Sequence, residues 1–297
     1  MNSPGASEYS NGHRAGITGR SPRYAPLVTS APGDSGPRLV LSSRPASGIL
    51  HLSLNQPERR NALTAQLAQA LRQELSLVTN DSSVRVLILT GSGTAFCAGA
   101  DLGSLGAGAP ALASRRRDLG DYYRAFLDLR DLAIPTIAAI NGPAIGAGLN
   151  LALCCDLRIV SEDARLAAPF VRLGIHPGGG ATWMLTHLVG PGAAKEILLL
   201  GQPLDAGRAL QLGLASRLVP SDQLQEAALD WALSLAALPA PVLRNLKHTL
   251  ALAEGGASLS EVLDFETGAQ AEALASEDAR EGWSAVQEHR EPHFRDR

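Results

Sequence analysis

The chain has 297 residues, 45% apolar and 19% charged, enough to bury a sizeable core in one large domain or two smaller ones. A net charge of −3 offers no basic field to nucleic acid, and the densest basic run, Arg115-Arg116-Arg117, is followed at once by Asp118 and Asp121, as on a solvated helix start. Cys97, Cys154 and Cys155 are too few for a disulfide framework and wrongly spaced for zinc, so they read as reduced and buried, and no apolar run approaches the roughly 18–20 residues of a membrane span.

In chain order, residues 1–37 are rich in Gly, Ser and Pro without a continuous apolar stretch. That composition reads as a disordered leader rather than a secretory signal, and with reduced cysteines it predicts a cytoplasmic protein. Ordered structure is expected from Arg38. ILHLSLN (49–55) alternates apolar and polar residues, the pattern of a half-buried strand. Thr64 is a plausible N-cap for a helix whose apolar stripe is Leu67, Leu71, Leu75 and Val78. VRVLILT (84–90) is a nearly unbroken aliphatic run, the mark of a strand buried on both faces. The loop GSGTAFCAGADLGSLGAGAP follows, then a helix near 117–132 and a strand at 136–140. GPAIGAGLNLALCCD (142–156) turns from glycine-rich loop into helix, and DLRIV (156–160) is another strand. This alternation predicts an α/β core with successive crossovers. Beyond Pro191 the pattern is almost all helical, over 193–200, 206–212, 222–237, 242–253 and 259–275. The expected division is a leader (1–37), an α/β core with the ligand pocket (38–215) and a helical C-terminal region (216–297).

Two glycine-rich loops invite a nucleotide-binding reading, which fails. After VLILT, Gly91 and Gly93 require a third glycine at 96, where Phe96 stands, and neither GKS nor GKT occurs. Ser92 lies in no G-x-S-x-G elbow. Another use of small residues remains. Ala98-Gly99-Ala100-Asp101 and Gly146-Ala147-Gly148 each come soon after a buried strand, where a ligand can approach backbone N–H groups closely. Two such donors converging on a carbonyl oxygen make an oxyanion hole, and a helix opening near Ala147 adds its positive end. Tight packing accounts for the same small residues, so on spacing alone both explanations stay open.

The segments NQPERRNAL (55–63), GSGTAFCAGADL (91–102), INGPAIGAGLNLALCCDLRIV (140–160), LGIHPGGG (173–180) and EDAREGWSAVQEHREPHF (277–294), in that order, resemble the enoyl-CoA hydratase/isomerase (crotonase) family over roughly residues 38–294. The resemblance implies a crotonase-like spiral of ββα units, a helical C-terminal trimerisation region and a homotrimer or hexamer. It implies an acyl-CoA thioester as ligand, coenzyme A entering only as part of the substrate, with no permanently bound cofactor and no metal. It also carries the oxyanion donors onto the backbone N–H groups of Ala100 and Ala147. Arg60 and Ala62 fall on the segment against the CoA nucleotide, and Ala100, Asp101, Leu102 and Gly103 on the segment that follows its adenine and pantetheine. Asp101 is expected to cap the following turn. The family's late lysine, which reaches CoA across subunits, aligns with His289.

The departures lie in the acid–base pair. The two glutamates by which the family's hydratases activate water and deliver a proton align with Asn150 and Phe170. Asn150 can orient a water but cannot take its proton, and Phe170 can do neither. The position where some relatives carry a reactive aspartate is Gly178. His176, as an imidazole able to give or take a proton, is the candidate substitute proton carrier. Tyr122, Tyr123 and Arg115–Arg117 lie in the variable segment that covers an acyl chain. Two functions follow: an enzyme of the hydratase/isomerase type using Ala100, Ala147, Asn150 and His176, or a non-catalytic acyl-CoA-binding protein.

Overall fold

The computed structural model describes residues 38–101 and 111–296, so the expected leader and the pocket positions Leu102 and Gly103 lie outside the described residues. The chain opens with a hairpin of β1 (Val40–Ala46) and β2 (Ile49–Leu54), turned at Gly48 with φ 77°. Pro45 sits in β1 without penalty because β1 is the edge of the sheet. Four strands join parallel to β2: β3 (Val86–Gly91), β4 (Thr136–Ile140), β6 (Leu157–Ser161) and β9 (Arg217–Val219). The order across the sheet is β1-β2-β3-β4-β6-β9. A smaller sheet is made by β5 (Ala144–Ile145), β7 (Arg165–Ala167) and β8 (Leu204–Asp205).

The period-2 alternation of a strand explains why the central ones are apolar throughout. Leu87 and Leu89 of β3 and Ala138 and Ile140 of β4 enter a large core, together with α1 (Ala65–Thr79), α2 (Leu112–Arg130) and α3 (Ala147–Leu153). Val86 and Ile88, with Ile137 and Ala139, face the other way, onto Leu224, Ala227, Ala228 and Ala232 of a later helix, Leu224–Ala236. Thr64 caps α1 as expected, its hydroxyl accepting from Leu67 N at 3.1 Å. All three cysteines are free and buried.

Several elements differ from the sequence reading. The helix placed near 117–132 is α2, which starts five residues earlier. The helix begun at 193 belongs to α4 (Ala181–Leu200), which runs on across a break at Gly190 (φ 75°) and Pro191. The stretch after Pro191 is not all helical, since β8 and β9 interrupt it on either side of α5 (Ala206–Gln211), and β9 completes the main sheet. The helix Leu224–Ala236 is α6 and seals the second face of that sheet. Then follow α7 (Ala240–Glu254), α8 (Leu259–Ala275) and a terminal helix not foreseen, α9 (Glu277–Glu288). Among the described residues no single helix is long and apolar enough to cross a membrane.

Candidate active site

The carboxyl ends of parallel strands leave a crevice in which loops meet. Here the segments that follow β2, β3 and β4 are laced together there. The turn after β2 places Arg60 and Asn61 at positive φ (51° and 54°). Asn61, which the sequence reading passed over, is fully buried and holds this turn. Its Oδ1 accepts from Gln56 N at 2.9 Å, and its Nδ2 donates to Ser92 O at 2.9 Å and Ala95 O at 2.8 Å. Residues 60–63 are thereby laid beside 98–101: Ala98 N donates to Arg60 O at 3.0 Å and Leu63 N to Gly99 O at 2.8 Å. Arg59 pairs with Asp101 at 3.1 Å. The structure thus brings Arg60, Ala62, Ala100 and Asp101 together, with Arg60 exposed and the other three half-buried.

A second lacing joins the loop after β3 to the one after β4. Cys97 N donates to Pro143 O and Ile145 N to Cys97 O, both at 3.0 Å, making a parallel bridge between Cys97 and Ala144. Three residues on from this bridge each chain reaches an alanine, Ala100 on one and Ala147 on the other. Neither alanine N–H is used in the lacing. Ala100 faces Leu63 in a parallel bridge whose bonds come from Leu63 N and Asp101 N, so its own N–H turns away. Ala147 opens α3, where the first N–H groups have no intrahelical acceptor, and Gly146 N before it is spent on Ala167 O at 2.8 Å.

Glycine is obligatory at two places in this weave. A Cβ on Gly99 (φ 105°) would meet Ile145 O at 2.8 Å. One on Gly148 would lie 2.8 Å from both Cys97 C and Cys97 Cβ, and nearer still to Cys97 O. Tight packing therefore explains the glycines, and its effect is to set the Ala100 and Ala147 N–H groups on adjoining loops. Two backbone donors so presented are suited to hold an oxygen that gains negative charge.

Asn150 lies one turn after Ala147 and is 2% exposed. Its Nδ2 donates to Gly178 O at 2.8 Å, while its Oδ1 is buried with no partner among the described residues. The amide is therefore anchored through its nitrogen, and its acceptor is left unused among the described residues. Phe170 is buried in the 3-10 turn Pro169–Leu173, and its ring packs toward Gly146, whose built Cβ would lie 4.0 Å from Phe170 Cε1. His176 is exposed, with Nδ1 2.7 Å from Pro177 O. His289, also exposed, ends α9 in the left-handed conformation.

Helix α2 adds an aromatic cluster that sequence reasoning left in the variable segment. Tyr122, Tyr123 and Phe126 have ring centroids 6.0–6.2 Å apart. Tyr122 Oη donates to Leu63 O at 2.9 Å, tying α2 to the residue that bridges Ala100. Tyr123 lies against Gly178, where a built Cβ would fall 2.8 Å from Tyr123 Cζ and closer yet to its Oη. Burial pushes the hydroxyls of both tyrosines above the ordinary phenol range. A heptad-like spacing on α2 was the available signal, but nothing local to it points at Gly178, more than fifty residues away.

A cleft of about 690 Å³ opens elsewhere, between the ends of α2 and α3 and the helices α4 and α7, lined among others by Arg130, Trp183, His187 and Lys247. None of the loop residues above borders it. Burial also raises the thiols, Cys97 to about 11 and Cys154 to about 12, which leaves them un-ionised at neutral pH.

Comparison with known proteins identifies the family and the fold. The family described as enoyl-CoA hydratase/isomerase matches residues 44–297. A probable enoyl-CoA hydratase, EchA14 of Mycobacterium tuberculosis, is 45% identical over 199 residues, covering 67% of this chain and 76% of that protein. The enoyl-CoA isomerase/hydratase fer4 of Mycosarcoma maydis is 35% identical, over 85% of this chain and 94% of its own. Among solved structures, the enoyl-CoA hydratase of Bacillus anthracis superposes with a TM-score of 0.82 at 31% identity, covering 87% of this chain and all of the other. A monofunctional enoyl-CoA isomerase from M. smegmatis gives 0.66 at 35% identity, over 76% of this chain and 99% of its own.

Proposed function

The chain belongs to the enoyl-CoA hydratase/isomerase family, and from that premise we propose that its laced loops take the thioester carbonyl of an enoyl- or acyl-CoA. The observation that carries the reading is the Cys97–Ala144 bridge, which leaves the N–H groups of Ala100 and Ala147 on neighbouring loops, unspent among the described residues. Enolising a thioester moves negative charge onto its oxygen, and each donor aimed at that oxygen lowers the barrier by ~3 kcal/mol. Arg60, Ala62, Asp101, Leu102 and Gly103 follow the coenzyme A portion, which enters and leaves with the substrate. Arg59 neutralises Asp101, so the neighbouring Arg60 remains the cation for a phosphate.

In this reading two-glutamate hydration is not available to the site, because neither Asn150 nor Phe170 carries a group that acts as acid or base at neutral pH. Asn150 Oδ1 instead accepts from a water or a substrate hydroxyl. His176 is the proposed proton carrier, reaching the acyl carbons from the solvent side. The second reading, a non-catalytic acyl-CoA-binding protein, is favoured by the same loss of both carboxylates. Exposed apolar side chains on the C-terminal helices, such as Leu250 at 56%, Leu263 at 55% and Trp283 at 57%, support assembly into a trimer or hexamer. A cytoplasmic location goes with the reduced thiols.

The test is mass-resolved product analysis with a panel of enoyl- and acyl-CoA thioesters, run on the wild type and on His176→Ala. Conversion by the wild type and its loss in the variant, with thioester affinity kept, is the expected result. Thioesters that bind and return unchanged would leave the binding-protein reading in its place. Undiminished turnover in the variant would remove His176 from the mechanism.

A further inference from the structure

Where does the proton for the α-carbon come from, once Phe170 stands in place of an acid? The ring of residues around the Ala147 end of the site contains Asn150, Phe170, Gly178 and, on α2, Tyr122, Tyr123 and Phe126. Tyr122 has committed its hydroxyl to Leu63 O. Tyr123 has no hydrogen-bond partner among the described residues, although it is half-buried and its Oη abuts Gly178. That Oη fills the room into which any side chain at position 178 would project. Gly178 is in turn tied through its carbonyl to Asn150, one turn beyond Ala147 on α3. The charged neighbours on α2, Asp121 and Arg124, are exposed, and the stretch 102–110, LGSLGAGAP, carries no ionisable side chain. A hydroxyl with no partner among the described residues thus sits against Gly178, the position where the resemblance puts a reactive aspartate in some relatives.

We propose that Tyr123 is the proton donor of the site, its Oη delivering a proton to the α-carbon of the thioester enolate held by Ala100 and Ala147. In this step the Tyr123 O–H bond breaks and leaves its electron pair on the phenolate oxygen. The enolate double bond supplies the pair for the new Cα–H bond, and the carbonyl re-forms as charge leaves the thioester oxygen. Water then returns a proton to the phenolate. Burial keeps Tyr123 protonated at neutral pH, as a donor must be. The inference rests on the thioester reading and assigns Tyr123 the proton at the α-carbon, leaving His176 the proton transfers elsewhere on the acyl chain.

By microscopic reversibility, a group that delivers this proton also removes it, so the α-hydrogens of a saturated thioester report on Tyr123 without any hydration step. The experiment is deuterium wash-in to butyryl-CoA in heavy water, followed by mass, for wild type, Tyr123→Phe and His176→Ala, with butyryl-CoA affinity measured in parallel. The expected result is exchange by the wild type that is still rising with pH well above neutrality, as the phenolate forms. Tyr123→Phe should lower it about a hundredfold at unchanged affinity. A purely structural tyrosine would move neither the rate nor its pH profile in the isosteric variant. Exchange unaffected by Tyr123→Phe, or levelling off near neutrality and lost in His176→Ala, would overturn the proposal in favour of His176. Tight butyryl-CoA binding with no exchange by the wild type would overturn it while leaving the thioester site intact. Absence of binding would take down the thioester reading itself.

Discussion

Gly148 is the position where one methyl group should separate the two proposed oxyanion donors, the N–H groups of Ala100 and Ala147. A Cβ there would lie 2.8 Å from Cys97 C and Cβ. Ordinary carbon contacts lie at about 3.5–4.0 Å, so Gly148→Ala must open the Cys97–α3 contact by at least ~0.7 Å. Cys97 belongs to the loop that carries Ala100, and Gly148 directly follows Ala147, so that opening falls between the donors. An oxyanion is held at about 2.7–3.1 Å, and a donor displaced by ~0.7 Å reaches the outer limit of a hydrogen bond. Loss of one donor costs about 2.7–4 kcal/mol of transition-state stabilisation, a 10²–10³-fold fall in kcat. The forced contact should also lower stability by ~1–3 kcal/mol, seen as several degrees in Tm. The assay is the carbonyl stretch of acetyl-CoA labelled with carbon-13 at its thioester carbon, bound to wild type and variant, with Tm alongside. Gly120→Ala is the control: it lies inside α2, nothing comes within 4 Å of its built Cβ, and it should stabilise by ~0.5–1 kcal/mol. In Gly148→Ala the stretch should return toward its value in water. An unshifted stretch in a folded variant would refute the assignment of Ala100 and Ala147 as a donor pair.

Two further outcomes test the electrostatics. With Cys97 raised to about 11, Cys154 to about 12 and Cys155 also raised by burial, no thiol of the described core should react with an aromatic disulfide reagent at pH 8 until the chain unfolds, and rapid native-state labelling would contradict the burial. Glu281 is held down to about 2, first by its hydrogen bond from Arg290 and then by His293 N, both of which stitch the tail to α9. A carboxylate depressed in the folded state stabilises fully above its ordinary value of 4.5, and that support is lost as pH falls toward about 2. Arg290→Ala should therefore move the Glu281 carboxyl midpoint, read by carbon-13 NMR, up toward 4.5, and a midpoint still near 2 would exclude the pairing.

The sequence by itself determined the parts of this protein whose signal is local. The aliphatic run at 84–90 could only be a strand covered on both faces, and Thr64 before the stripe Leu67, Leu71, Leu75 and Val78 could only begin a helix. The order of short motifs was enough for family and fold. What only the tertiary structure decided depends on residues distant in the chain. Strands β8 and β9 are too short to show a period, and they form because open sheet edges are there to receive them. Asn61 reads as an ordinary turn residue until its amide is seen to hold the loop after β3. Gly148 looks like flexibility in sequence, yet it is glycine because Cys97 leaves no room for a methyl. Tyr123 belongs to a helix whose local pattern says only that one face is apolar. Its relation to Gly178 and Asn150 exists because the crossovers of parallel strands bring α2, α3 and the 170–180 turn to the same end of the sheet, and no local pattern in a chain records which of its segments will meet there.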